Sequence, residues 1–160
     1  MNDKLVENKI KGDAFEKWVV KKFDRDYFQV EEWRSDKSVD GIFPTSNHFP
    51  DLEISFFDPK SNTCKTFAVE CKWRKALYKG GINWAEGYQI KNYADYAAKL
   101  SIPVFVILGL GGEPENPVSV FIIPLKNIHS HFLTIEQLIP YLHSNNTKGF
   151  FFDFEKELLN

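Results

Sequence analysis

A chain of 160 residues can bury one sizeable core but leaves no room for a separate recognition domain beside it. Its net charge of −2 argues against a dedicated nucleic-acid-binding domain of the usual basic kind, so any such binding must come from a local basic strip. No apolar run approaches the roughly 20 residues of a membrane span. Two cysteines without a C-x-x-C pair argue against zinc and for a reduced, cytoplasmic setting.

The first residues, Met-Asn-Asp-Lys-Leu-Val-Glu, hold no apolar stretch, so no signal peptide is expected. Over about residues 5–24, Ile10, Ala14, Phe15, Trp18, Val19 and Phe23 recur at helical spacing and predict a helix with one buried stripe. Glu16 lies beside that stripe, one turn after Gly12. A strand is expected at about 27–33. Asp40, in Val39-Asp40-Gly41-Ile42, reads as a turn residue next to glycine.

Two alternating segments follow, at about 51–57 and 65–73. In the first, Leu52, Ile54 and Phe56 alternate with Asp51, Glu53 and Ser55; in the second, Phe67, Val69 and Cys71 alternate with Ala68, Glu70 and Lys72. Successive strand side chains point to opposite faces. Asp58-Pro59-Lys60-Ser61-Asn62 between them is turn-forming and predicts a hairpin. That hairpin puts Asp51, Glu70 and Lys72 on one face.

A helix is expected over about 84–100, with Tyr93, Tyr96, Ala97 and Leu100 toward a core and with Gln89 and Tyr93 sharing a face. The unbroken apolar run Ile102–Leu108 reads as a strand buried on both faces, over about 102–109. Gly109-Leu110-Gly111-Gly112 lacks the Gly-Lys-Ser/Thr of a phosphate loop and reads as a turn. A strand at about 118–125 and a helix at about 134–143 complete the order, with His129 and His131 in a surface loop. Phe150-Phe151-Phe152-Asp153-Phe154 is either an edge strand finishing the sheet or an apolar surface for a second copy. No linker or repeat divides the chain, so residues 1–160 are read as one domain.

Two carboxylates at the end of a sheet suit a hard divalent cation, and a nearby lysine can position water or neutralise developing charge. Pro50-Asp51 followed by Glu70-x-Lys72 on the next strand resembles the PD-(D/E)xK nuclease superfamily. Gly12-Asp13-Ala14-Phe15-Glu16 is similar to its G-x-x-F-E first helix, and Gln89-x-x-x-Tyr93 to the motif of its RecB-like branch. The iron–sulfur cluster of some RecB-like members is not expected, because it needs four cysteines and the chain has Cys64 and Cys71.

The resemblance implies an α/β fold: a restriction-endonuclease-like mixed central sheet flanked by helices, with an α-β-β-β-α-β core. It implies a Mg²⁺- or Mn²⁺-dependent nuclease that hydrolyses DNA phosphodiester bonds in repair, recombination or restriction. Asp51, Glu70, Glu16 and the Cys71 carbonyl would hold the metal; Lys72 would orient water, and Gln89 and Tyr93 would hold the strand. Some relatives take the first aspartate from an I-D-G-like stretch, which leaves Asp40 as the alternative to Asp51. For the local basic strip, Arg74, Lys75, Lys79 and Lys91 are the candidates, with Trp73, Tyr78 and Trp84 interleaved for stacking. A solvated loop fits the same residues. Ends, junctions or damaged DNA suit a small domain better than a base sequence does, and a homodimer is compatible. The rival reading is a silent nucleic-acid-binding or assembly module.

Overall fold

The computed structural model describes residues 2–34, 42 and 45–160. Helix α1 (Asp3–Lys21) begins at Asn2, whose side chain accepts the Lys4 N–H at 3.1 Å. Phe15, Val19 and Phe23 are buried as the spacing predicts, but Ile10 is 63% exposed. The expected stripe is therefore covered only from Phe15 onward, where the helix lies on the sheet.

Strands β1 (Phe28–Trp33), β2 (Leu52–Asp58) and β3 (Thr63–Arg74) run antiparallel in that order. The β2–β3 hairpin closes as expected. Asp58 accepts the N–H groups of Lys60 and Ser61, and Asn62 takes φ 53°. After a short strand β4 (Gly81–Asn83) comes helix α2 (Gly87–Leu100), and then β5 (Val104–Leu110) and β6 (Ser119–Pro124). β5 lies parallel to β3 and antiparallel to β6, giving a five-stranded mixed sheet in the order β1-β2-β3-β5-β6. This is the expected α-β-β-β-α-β order. The Gly109–Gly112 stretch turns as expected, with Gly111 at φ 74° and Gly112 at φ 64°.

Both sheet faces are covered. Phe15 and Val19 of α1, with Phe23 just after it, pack with Leu52, Phe67 and Phe105, while Tyr93 and Tyr96 of α2 pack with Ala68, Val106 and Leu108. Gly109 allows α1 to sit this close, since a Cβ there would meet the Phe15 ring at 2.5 Å.

Three expectations need correction, and one strand pair is new. Leu100 is exposed, because α2 ends there and Ser101 takes the left-handed conformation at φ 54°. Residues 134–143 form one α turn, α3 (Ile135–Leu138), then a 3₁₀ turn (Ile139–Tyr141), since Pro140 lacks the N–H that would continue the helix. Ahead of α3, β7 (Phe132–Thr134) pairs with β4 in a two-stranded sheet that the sequence did not suggest. The C-terminal tail neither extends the sheet nor stays an open apolar surface. Its β8 (Phe152–Asp153) pairs with β9 (Leu158–Leu159), and Phe150 and Phe152 turn into the core. Phe152 stacks on Phe67 with ring centroids 4.9 Å apart. Among the described residues, no helix is long and apolar enough to cross a membrane.

Candidate active site

β3 outruns β2. The pairing begins at Leu52 opposite Val69, and β3 continues to Arg74 with β5 as its neighbour. Asp51, one residue before β2, thus falls beside Glu70 at the point where the two strands part. The strands are tied there through side chains: the Asp51 N–H donates to Glu70 Oε2 at 3.2 Å, and the Cys71 N–H donates to Asp51 Oδ2 at 2.8 Å. Lys72 Nζ lies 2.8 Å from Glu70 Oε1. The structure therefore brings Asp51, Glu70 and Lys72 together. Glu70 is 2% exposed, and a carboxylate so buried needs the partners it has.

A cavity of about 640 Å³ opens beside this group, lined by Gly12, Glu16, Asp51, Lys72, Trp73 and Arg74 among others. Glu16 reaches it from α1 and accepts the Trp33 indole N–H at 2.9 Å. The electrostatics are one-sided. Burial, reinforced by the charges of Glu70 and Glu16, holds the Asp51 carboxyl well above the usual aspartate range, against the pull of Lys72 and the Cys71 N–H. Burial and the same three carboxylates push the Cys71 thiol up, so it stays protonated and unreactive. Burial disfavours the Lys72 ammonium, but Glu70 and Asp51 outweigh that and raise it above the usual lysine range. Lys72 is therefore a fixed cation at neutral pH, a donor and not a base. As they stand, no three His, Cys, Asp or Glu side chains among the described residues are grouped to hold a metal ion. Both Glu70 oxygens are already engaged, by Lys72 and by the Asp51 N–H.

Sequence reasoning missed Trp33, the last residue of β1, and Arg34, which follows it. The Arg34 backbone N–H donates to the Asp51 carbonyl at 2.7 Å, and its guanidinium donates to the Pro50 carbonyl at 2.9 Å. That guanidinium is held in turn by Glu53 at 3.2 Å and by the Tyr96 hydroxyl at 3.2 Å. Glu53, on the face of Asp51, is thus an ion-pair partner of Arg34 and also accepts from Tyr96. Burial and the Glu53 contact push the Tyr96 hydroxyl up to about 12. Nothing in the local pattern marks Arg34, because its partners lie far along the chain.

The expected strand contacts are scattered. Arg74 and Lys75 line the cavity; Arg74 donates to the carbonyls of Trp73 and Asn83, and Lys75 pairs with Glu113 at 3.2 Å. Lys79 sits in the turn before β4 at φ 49°, over the Tyr78 ring, and Lys91 pairs with Asp95 on α2. Gln89 belongs to the capping box of α2, its side-chain oxygen accepting the Glu86 N–H at 2.8 Å. Tyr93 is 3% exposed and stacks on Trp84. Among the described residues, the lining of the cavity beside Asp51 includes neither. Trp84, expected as a stacking surface, is corrected: it is fully buried, its indole donating to the Ser130 carbonyl at 2.9 Å. Asp40 lies outside the described residues.

The sheet order and flanking helices define a restriction-endonuclease-like fold, as the resemblance implied. Among solved structures, the chain is similar to the Holliday junction resolvase Hjc of the archaeal hyperthermophile Archaeoglobus fulgidus, with a TM-score of 0.55 and 14% identity, over 81% of this chain and 93% of the resolvase chain. No family model matches the chain, and neither does any curated protein.

Proposed function

We propose that this protein is a metal-dependent nuclease that hydrolyses DNA phosphodiester bonds, with branched DNA as its substrate class. One observation carries the reading: Asp51, just before β2, and Lys72 of β3 line a cavity that Glu16 enters from the first helix, with the buried Glu70 bonded to both of them behind its wall. The fold shared with a Holliday junction resolvase supports DNA, and junctions in particular.

The donor types are those a hard cation takes, although among the described residues the carboxylates are not gathered around one point and Glu70 would have to release Lys72 or the Asp51 N–H to bind it. Asp51, Glu70, Glu16 and the Cys71 carbonyl are all oxygen donors; the Asp51 carboxyl is raised first by burial and then by the charges of Glu70 and Glu16, and a cation would offset both. When bound, Mg²⁺ supplies a lowered pKa for its water and a positive charge against the phosphoryl oxygen. The chain's residues do the rest. Lys72, held charged beside Glu70, donates to the attacking water or to the phosphoryl oxygen as negative charge grows there. Arg74 and Lys75, on the cavity wall, meet the phosphates of the strand. Within the superfamily, the RecB-like branch is our assignment on the spacing of Gln89 and Tyr93 alone, since Gln89 caps α2 and Tyr93 packs in the core.

The test is cleavage of four-way-branched, supercoiled and linear DNA in Mg²⁺ or Mn²⁺, with Lys72→Ala and Glu70→Gln in parallel. Metal-dependent cutting, lost in both variants and fastest on the branched substrate, is expected. A wild type that cuts none of the three would overturn the nuclease reading in favour of a binding or assembly module.

A further inference from the structure

Gly12 sits inside α1, where glycine weakens a helix relative to alanine. Nothing in the fold calls for it. A Cβ built at Gly12 meets no atom within 4 Å, whereas one at Gly109 would meet Phe15 at 2.5 Å and one at Gly81 would meet the Leu133 carbonyl at 2.4 Å. Its backbone is ordinary helix, outside the left-handed region that Gly80, Gly111 and Gly112 occupy.

Its position gives the reason. Asn8, Gly12 and Glu16 follow one another at intervals of four, so they share one face of α1. All three line the cavity that holds Asp51 and Lys72. Gly12 is one helical turn from Glu16, and the far wall of the cavity is the end of β3, where Lys72, Arg74 and Lys75 supply cations. α1 also brings Lys9, Lys11 and Asp13 to the lining, but Lys9 is paired with Asp13 and Lys11 with Glu7, so at Gly12 the helix leaves a gap that faces the cations across the cavity. A helix interior has no N–H to spare, because each is bonded to the carbonyl four residues back. Gly12 therefore offers close contact and no hydrogen bond, which suits the sugar edge of a DNA strand and not its phosphates.

We propose that Gly12 seats the DNA strand: the missing side chain lets the sugar edge next to the scissile bond lie against α1 while the phosphates face Arg74 and Lys75. Any side chain would take up that space. The inference rests on the nuclease reading and names where its substrate lies.

The test is the series Gly12→Ala and Gly12→Leu, read by thermal unfolding, by cleavage of branched DNA and by anisotropy of a labelled DNA strand in Ca²⁺. Both variants replace a helical glycine with a better helix former, so Tm is expected to rise by about 2–4 °C. Against that gain, strand binding weakens in the order wild type, Ala, Leu, and kcat/KM falls by about 100-fold in Gly12→Leu through misplacement of the strand. A Gly12→Leu protein that binds and cuts like the wild type overturns the proposal. So does a fall in Tm for Gly12→Ala, which would show that the fold itself needs the glycine. If the wild type cuts nothing, the nuclease reading fails by itself; equal strand affinity across the series then removes the seating role too, and graded loss of affinity keeps it.

Discussion

Burying the Asp51 carboxylate between Glu70 and Glu16 works against folding, and neutralising it should help. Asp51→Asn keeps an oxygen to accept the Cys71 N–H and removes the charge. In EDTA this variant should unfold about 2–4 °C above the wild type, a gain of roughly 1 kcal/mol. Adding Mn²⁺ should reverse the order, because an ion that binds only the folded wild type at about 100 times its Kd adds roughly 2.7 kcal/mol. An Asp51→Asn protein that gains as much from Mn²⁺ as the wild type would overturn the proposal that Asp51 is a metal ligand. The same residue sets a pH dependence. Its folded pKa is raised, so between the usual aspartate range near about 4 and the raised value the folded state binds more protons than the unfolded one. Its contribution to stability is therefore present at low pH and lost as pH rises through that window. Urea unfolding without metal should show Asp51→Asn pulling ahead of the wild type as pH increases.

At the scale of elements, close contact is what holds the site's parts in line. Glu16 reaches the cavity because α1 lies against β3 with Phe15 over Gly109 of β5, and it can come this close because Gly109 has no side chain beneath Phe15. Gly109→Ala should cost about 1–3 kcal/mol in urea unfolding through overpacking, and it should displace Glu16 and slow cleavage beyond the loss of folded protein. The long elements were legible in the sequence for a physical reason. α1, β2 and β3 each span several periods of their pattern, so the side-chain periodicity declares them, and β5 declares itself as an unbroken apolar run of strand length. The two- and three-residue strands β4, β7, β8 and β9 contain no full period; their partners 50 residues along or across a turn make them strands. For the same reason the Gly12 cavity was invisible, since a glycine that packs against nothing looks in sequence like any weak spot in a helix.

Across the whole molecule, the C-terminal hairpin supports the first helix. Phe150 meets Trp18 and Phe23 edge-on, and Phe152 stacks on Phe67 under α1. Phe152→Ala should therefore cost about 3–5 kcal/mol, measured by urea unfolding, although it changes a two-residue strand near the end of the chain. A loss under 1 kcal/mol would show the tail to be only a cover. The sequence by itself determined the candidates for the chemistry: Pro50-Asp51 ahead of a strand, Glu70 and Lys72 two apart on one strand face, and Glu16 a turn after Gly12. It could do so because strand alternation and helical spacing are local properties of the chain. Only the tertiary structure decided how the site is held: that Arg34 grips the backbone on both sides of Asp51, that Trp33 holds Glu16, that Gln89 caps a helix, and that Trp84 lies in the core. Those roles depend on which distant groups come within hydrogen-bond reach after the sheet has paired, and no local pattern encodes that distance.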